Sequence, residues 1–255
     1  MEEWRLIDLE VLSGPMTMAI DEAILRLTAL GRSPPTLRLY RWNPSTVSIG
    51  YFQSIHEEVD LEVCRELEVD VVRRITGGGA VYHDYDGEIT YSMIVKEDNP
   101  KIPRNIMESY RLICQGIVGG IKNLGLNAEF KPINDIIANG RKISGNAQTR
   151  RQNVFLQHGT ILVDFDPEAM FKVLKVSRAK ISDKLIQSVR ERVTSIRNEL
   201  EGDITFEEVR KALIEGFQGV LQINFKKGKL SESEQELADR LLIDKYSDQG
   251  WNFRR

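Results

Sequence analysis

The spacing of apolar and polar positions changes several times along the chain, and each change marks an element. "WRLIDLEVL" alternates with period two and predicts a strand. "MTMAIDEAILRLTALG" sets Met16, Ala19, Ile20, Ala23, Ile24 and Leu27 on one helical stripe, closed by Gly31. Pro34 and Pro35 then break the chain, and "TLRLYRW" and "TVSIGY" read as two strands joined by the turn Asn43-Pro44-Ser45. "EEVDLEVCRELE" predicts a short amphipathic helix, "VDVVRRI" a strand and "GEITYSMIV" another strand. "NIMESYRLICQGIVGGIKNLGL" predicts a long helix whose glycines mark close packing. Asn139-Gly140 between two β-like runs predicts a type I′ hairpin that places Lys142 just after the turn. "NVFLQHGTILVDFD" continues as a strand. The last third reads as mostly helical: "PEAMFKVLKV" with Pro167 in its first turn, "ISDKLIQSVRERVTSI", and two helices opened by capping boxes, Thr205 with Glu208 and Ser231 with Glu234. No Pro/Gly/Ser-rich linker separates these helices from the strands, so one α+β domain spanning residues 1–255 is expected.

Composition narrows the class. In 255 residues, 41% are hydrophobic and 29% charged, as in an ordinary globular protein. The two cysteines, Cys64 and Cys114, are too few for a disulfide framework or a cysteine-rich metal site, and a reducing, cytoplasmic setting is the simplest reading. They fall in predicted helices and read as core packing. A net charge of −3 with mixed signs argues against a general nucleic-acid partner. "MEEWRLIDLE" lacks the apolar region of a signal peptide, and no apolar run approaches the roughly 18 residues that span a bilayer, so no membrane association is expected.

The densest chemistry lies in "RRITGGGAVYHD". Three consecutive glycines are costly unless the backbone turns unusually or something approaches it closely. Ala80 and Val81 stand where a Walker A loop needs Lys-Ser/Thr, and neither a G-x-G-x-x-G fingerprint nor a G-x-S-x-G elbow is present. What remains is a strand, bare amides able to form a nest for an anion, and two arginines that alternation sends to opposite faces, so that one reaches the site. A plain glycine turn with both arginines in water is the alternative. The second cluster is "NDIIANGRKISGNAQ", with Lys142 among Asn134, Asp135, Ser144, Gly145 and Asn146, followed by His158 in "LQHGT". A lysine on a hairpin is commonly a surface residue, and a histidine in a strand commonly a core one.

Taken in order, these segments resemble the lipoate–protein ligase A family. "MAIDEAIL", "RWNPSTVSIGYFQ", "RRITGGGAVYHD", "NDI", "GRKISGNA", "HGTILVD" and "KYSDQGWNF" match its motifs in sequence and spacing. The resemblance implies the biotinyl/lipoyl protein ligase (class II synthetase-like) fold, a mixed and mostly antiparallel sheet flanked by helices. It implies activation of lipoate with ATP and Mg²⁺ to lipoyl-AMP, then transfer to a lysine of a carrier domain, as in 2-oxoacid dehydrogenases or glycine cleavage H protein. On this reading Lys142 is catalytic and binds the adenylate. Nucleotide contacts fall on Arg74, Gly77, Gly78, Gly79, Ala80, Val81, Tyr82, Asn134 and Asp135. The lipoyl pocket falls on Trp42, Thr76, His83, Ser144, Gly145, Ala147 and His158. Lys142, a compact cation, would touch both the carboxylate and the α-phosphate and offset their repulsion.

Two departures matter. The chain ends soon after the family's catalytic domain closes, which resembles archaeal-type members whose C-terminal accessory domain is a separate small protein, and such a partner is expected. The wording "GNAQTR" is also found in related octanoyltransferases that use a catalytic cysteine and no ATP; there the cysteine shortly precedes the lysine segment, and "EFKPINDI" has none. An octanoyltransferase acting from acyl carrier protein is the principal alternative, and a non-catalytic lipoyl- or nucleotide-binding protein another. A biotin ligase is disfavoured, because its G-R-G-R-x-G-R loop is not matched.

Overall fold

The computed structural model describes residues 1–175 and 183–255. Strand β1 (Glu2–Leu12) leads into helix α1 (Gly14–Ala29), which has Pro15 in its first turn. Strand β2 (Thr36–Trp42) follows, then β3 (Thr46–Ile49), two short helices, α2 (Ile55–Glu58) and α3 (Leu61–Glu66), and β4 (Asp70–Arg73). The glycine run joins β4 to β5 (Val81–His83), and β6 (Glu88–Lys96) precedes the long helix α4 (Ile106–Asn123). Strands β7 (Ala128–Lys131), β8 (Asp135–Ala138), β9 (Arg141–Arg151) and β10 (Val154–Leu162) form a meander. Helices α5 (Pro167–Val173), α6 (Asp183–Arg190), α7 (Ile196–Leu200) and α8 (Phe206–Leu221) come next, then β11 (Ile223–Lys227), α9 (Glu232–Leu241) and α10 (Gln249–Asn252).

Eight strands make one sheet in the order β11-β1-β2-β6-β10-β9-β8-β7; β1 runs parallel to β2 and β11, and the other pairings are antiparallel. This is the mixed, mostly antiparallel sheet that was expected. Period-two alternation gives it two apolar faces. Leu37, Leu39, Tyr91, Met93 and Phe155 join the side chains of α4 and α8 on one face. Tyr40, Trp42, Ile94 and Leu156 join those of α1 and α9 on the other. The glycines of α4 do mark close packing. A Cβ on Gly216 of α8 would lie 2.2 Å from the Gly116 carbonyl oxygen and 2.4 Å from the Gly120 nitrogen. Both capping boxes form, and the turn at Asn139 (φ 48°) and Gly140 (φ 81°) is left-handed at both positions, as a type I′ hairpin requires.

Four local expectations change. The turn at Asn43-Pro44-Ser45 does not fold β3 back onto β2; β3 leaves the large sheet for a second one of order β4-β3-β5. The helix expected over 57–68 is two, because Val59 is extended (φ −123°, ψ 133°) and Asp60 caps the second by accepting from the Val63 N–H. The helix expected over 181–196 stops at Arg190 and restarts at Ile196 under a Ser195 cap; residues 176, 181 and 182 of the expected helices lie outside the described residues. Strand β11 was not foreseen, since "INFKK" buries one residue deeply and is held by parallel pairing to β1 from over 200 positions away.

Arg73 and Arg74 do diverge. Arg73 is fully buried and donates to the carbonyls of Gly50 (3.0 Å), Gln53 (2.7 Å) and Asn252 (2.9 Å). Its own N–H donates to Asn252 Oδ1 (2.8 Å), and Trp251 Nε1 donates to its carbonyl (2.9 Å). This residue ties the strand that feeds the glycine run to α10.

Candidate functional site

A cavity of about 440 Å³ opens where the α1-facing side of the large sheet meets the small sheet, the glycine loop and the β8–β9 hairpin. That is within the usual range for a small-molecule site. Trp42, Val81, Leu162, Phe165, Met170, Leu174, Val189 and Val193 give it an apolar wall. Lys142, Arg74, Asn134, Ser48, His83, Glu88 and His158 give it a polar end.

Three features shape the glycine loop. Gly78 has φ +96°, a conformation that favours glycine, and its carbonyl rests against Gly50, where a Cβ would lie 2.0 Å from that oxygen. Beside Gly77 and Gly79 the space is open. The amides of Gly77, Gly78, Gly79 and Ala80 have no partner among the described residues. Arg74 holds the loop from beneath, donating to the carbonyls of Gly77 (2.9 Å) and Gly79 (2.7 Å) and to the carbonyl and Oγ of Ser48 (3.0 and 3.1 Å). No carboxylate pairs with it among the described residues, and burial pushes its pKa down to about 10. The loop is therefore a set of free donors with a fixed cation behind it.

Lys142 sits on β9 after the hairpin turn. Its Nζ lies 2.7 Å from Asp135 Oδ1, with both side chains partly in water, so the pair is weak and easily exchanged for a ligand. The ladder shifts between Ile136, paired with Ser144, and Ile137, paired with Lys142, leaving Ile143 as the bulged residue. Gly145 leaves room for the lysine: a Cβ there would lie 3.1 Å from both Lys142 Cε and Nζ.

The two histidines differ. The His83 ring stacks on Trp42, with centroids 4.0 Å apart and planes 17° from parallel. His83 Nδ1 is 2.7 Å from Glu88 Oε1 and Nε2 is 2.8 Å from Ser48 Oγ. Thr90 links the set, donating to Glu88 Oε1 (2.5 Å) and accepting from Trp42 Nε1 (2.7 Å). His158 Nε2 is 2.7 Å from Thr76 Oγ1, and its Nδ1 is 3.5 Å from Asp21 Oδ2. Burial, reinforced by Arg74 and His83, holds the His158 imidazole below its ordinary range despite Asp21. Asp21 is held ionised, since Arg38, His158 and Ser92 outweigh the cost of burial.

Of the residues singled out from sequence, Lys142, Arg74, Gly78, Gly79, Ala80, Val81, Tyr82, Asn134, Trp42, His83, Ser144, Gly145, Ala147 and His158 border this cavity. Gly77, Thr76 and Asp135 stand just behind it, bonded to Arg74, His158 and Lys142. Ser48, Glu88, Thr90 and Thr160 were missed. A signal existed: polar residues at every second position of "EITYS" and "HGT" mark one polar face in otherwise apolar strands. Asp135 is the one acidic side chain of the expected nucleotide and Mg²⁺ set, and Lys142 already occupies it. No group of three or more His, Cys, Asp or Glu able to hold a metal occurs among the described residues. Cys64 and Cys114 are buried, burial pushes their thiols up to about 11 and about 12, and neither borders the cavity. No helix among the described residues is long and apolar enough to cross a membrane.

The sheet order, glycine loop and lysine hairpin define a lipoyl-ligase-like α+β protein. Residues 13–218 match the lipoyl protein ligase A/B catalytic domain, and the chain belongs to that family. Among its relatives are octanoyltransferases LipM, including that of Kyrpidia tusciae, 39% identical over 277 aligned positions that cover 100% of both chains. A bipartite lipoate protein ligase of Thermoplasma acidophilum, solved in a study with its E2 lipoyl domain, is 36% identical with a TM-score of 0.87, covering 99% of this chain and 97% of that one. A lipoate-protein ligase A bound with ATP is 36% identical with a TM-score of 0.85, covering 99% of each chain.

These relatives correct one expectation. The ATP-dependent lipoate ligase activity drawn from the resemblance is overturned by full-length relatives that are octanoyltransferases. The resemblance did not separate the two activities, because octanoyltransferases and lipoate ligases alike match this chain over nearly its whole length at 36–39% identity.

Proposed function

We propose that the chain is an octanoyltransferase, moving an octanoyl group from a carrier-bound thioester to a lysine of a lipoyl-type carrier domain without ATP. The observation that carries this reading is the form of the cavity: an apolar wall that suits a medium-length acyl chain, ending at Lys142 and a loop of unpaired amides. The kinship with octanoyltransferases supports the same chemistry.

Acyl transfer builds negative charge on the carbonyl oxygen. Pre-set N–H donors and an ammonium group in a site that excludes water stabilise that charge, and one such donor is typically worth roughly 10²–10³ in rate. Lys142 exchanges its Asp135 contact for the oxyanion, and the loop amides supply the other donors. Trp42 and Val81 hold the chain, so that the reacting carbon is positioned before the acceptor lysine arrives. The acceptor amine attacks in its neutral form.

The test offers octanoyl-loaded acyl carrier protein and an apo lipoyl domain, with no nucleotide present. Octanoyl-amide formation is expected, with Lys142→Ala slower by roughly 10²–10³-fold. Product that forms only from free acid and ATP would overturn the reading.

A further inference from the structure

Within this cavity Ser48, His83 and Glu88 stand in line. Ser48 Oγ is 2.8 Å from His83 Nε2, and His83 Nδ1 is 2.7 Å from Glu88 Oε1. All three border the cavity. With the ring proton on Nδ1, donated to Glu88, Nε2 is left to accept from the serine hydroxyl. Thr90 donates to Glu88 Oε1 and Trp42 covers one face of the ring, so neither the carboxylate nor the imidazole is free to turn. Arg74 donates to Ser48 Oγ at 3.1 Å, placing a cation where an alkoxide would form. A hydroxyl, a base and an acid that orients the base are the parts of a nucleophilic acyl-transfer site, recognised by geometry rather than by order in the chain.

The other histidine does not offer this. Its hydroxyl partner, Thr76, is fully buried and does not border the cavity, and the Asp21 contact is long at 3.5 Å. Neither cysteine reaches the cavity either. An acyl group in this pocket has one activated nucleophile beside it among the described residues.

We propose that Ser48 carries the acyl group as a covalent ester during transfer, with His83 as general base and acid and Glu88 as its positioning residue; this rests on the transfer reading above. Ser48 Oγ attacks the thioester carbonyl and its proton passes to His83 Nε2. The C–S bond breaks, and the leaving thiolate takes that proton. The neutral acceptor amine then attacks the ester carbonyl, giving its proton to Nε2. The C–Oγ bond breaks and the proton returns to Ser48. No oxidant, reductant or nucleotide is needed for the balance.

The experiment incubates the full chain with octanoyl-loaded acyl carrier protein and no acceptor, followed by intact-mass measurement and peptide mapping. One octanoyl adduct on Ser48 is expected, stable to neutral hydroxylamine as an oxygen ester is and a thioester is not. Ser48→Ala should lose the adduct and slow transfer by at least ~10³-fold. Ser48→Cys should restore an adduct, now labile to hydroxylamine. Glu88→Gln should lower kcat more than KM and shift the pH profile, which a purely structural role would not do. Transfer that proceeds in Ser48→Ala at the wild-type rate, or an adduct on Cys64 or Cys114, overturns this proposal and leaves the octanoyltransferase reading standing. Failure of the wild type to move octanoyl from the thioester to the lipoyl domain removes both.

Discussion

Lys142 and Val193 form an isolated parallel bridge: the Lys142 N–H donates to the Arg192 carbonyl at 2.7 Å, and its carbonyl accepts from the Thr194 N–H at 2.8 Å. The ammonium end is held only by a partly exposed ion pair, but the backbone beneath it is fixed from both sides. Val193 also borders the cavity, so one segment both seats the lysine and closes the apolar wall.

Removing one of those backbone bonds should therefore cost activity without touching the lysine. Thr194→Pro deletes the donor N–H. A misplacement of about 1 Å is enough to cost roughly 10²-fold in rate. Steady-state transfer kinetics beside a thermal melt are the check, and an unchanged kcat would show that the bridge does not position Lys142.

Gly145→Ala should act on the same lysine from the other side. The new methyl would lie 3.1 Å from Lys142 Cε and Nζ, and the flexible end of the side chain yields more readily than backbone. The expected result is a fall in kcat of about tenfold or more, with a melting temperature close to wild type.

Gly216→Ala should do the reverse. Its Cβ would meet the backbone of α4 at 2.2–2.4 Å, where nothing can rotate away. Overpacking of this kind costs roughly 1–3 kcal/mol or more. Chemical denaturation should show the loss, while kcat per folded molecule stays near wild type because both helices lie on the sheet face away from the cavity.

Acid should weaken the fold through His158. Its folded-state pKa lies below the ordinary value of 6.5, chiefly from burial. As the pH drops below about 6.5, the unfolded chain takes up this proton before the folded one does. Stability contributed by the neutral ring is thus complete above that pH and declines until the folded-state pKa is passed. His158→Gln should flatten the dependence of the melting temperature on pH between about 7 and 5; an unaltered slope would count against a buried neutral imidazole.

How much of this was legible in the sequence follows from the range of the forces involved. Local signals were readable: the caps at Thr205 and Ser231, the Asn139-Gly140 turn and the long helices rest on contacts a few residues apart. The glycine run and Lys142 stood out because their residue types are unusual for their surroundings. What was hidden depends on distant pairing. Strand β11 needs β1, and the departure of β3 from the large sheet needs β4 and β5. Ser48 looked like one polar residue in a strand, and only His83, 35 positions away, gives it meaning. The choice between two acyl-transfer chemistries was illegible for another reason, since relatives at 36–39% identity include both octanoyltransferases and lipoate ligases.

The Arg73 clamp sets an order of events during synthesis. The strand that delivers the glycine loop is pinned by side-chain and main-chain groups of Trp251 and Asn252, some 178 and 179 positions downstream. A nascent polypeptide still lacking those residues has every cavity-bordering side chain already translated, yet the strand beneath its loop is held only by Arg73's bonds to Gly50 and Gln53 and by its pairing to β3. Premature termination near codon 250 should accordingly loosen the binding site itself rather than trim a dispensable tail.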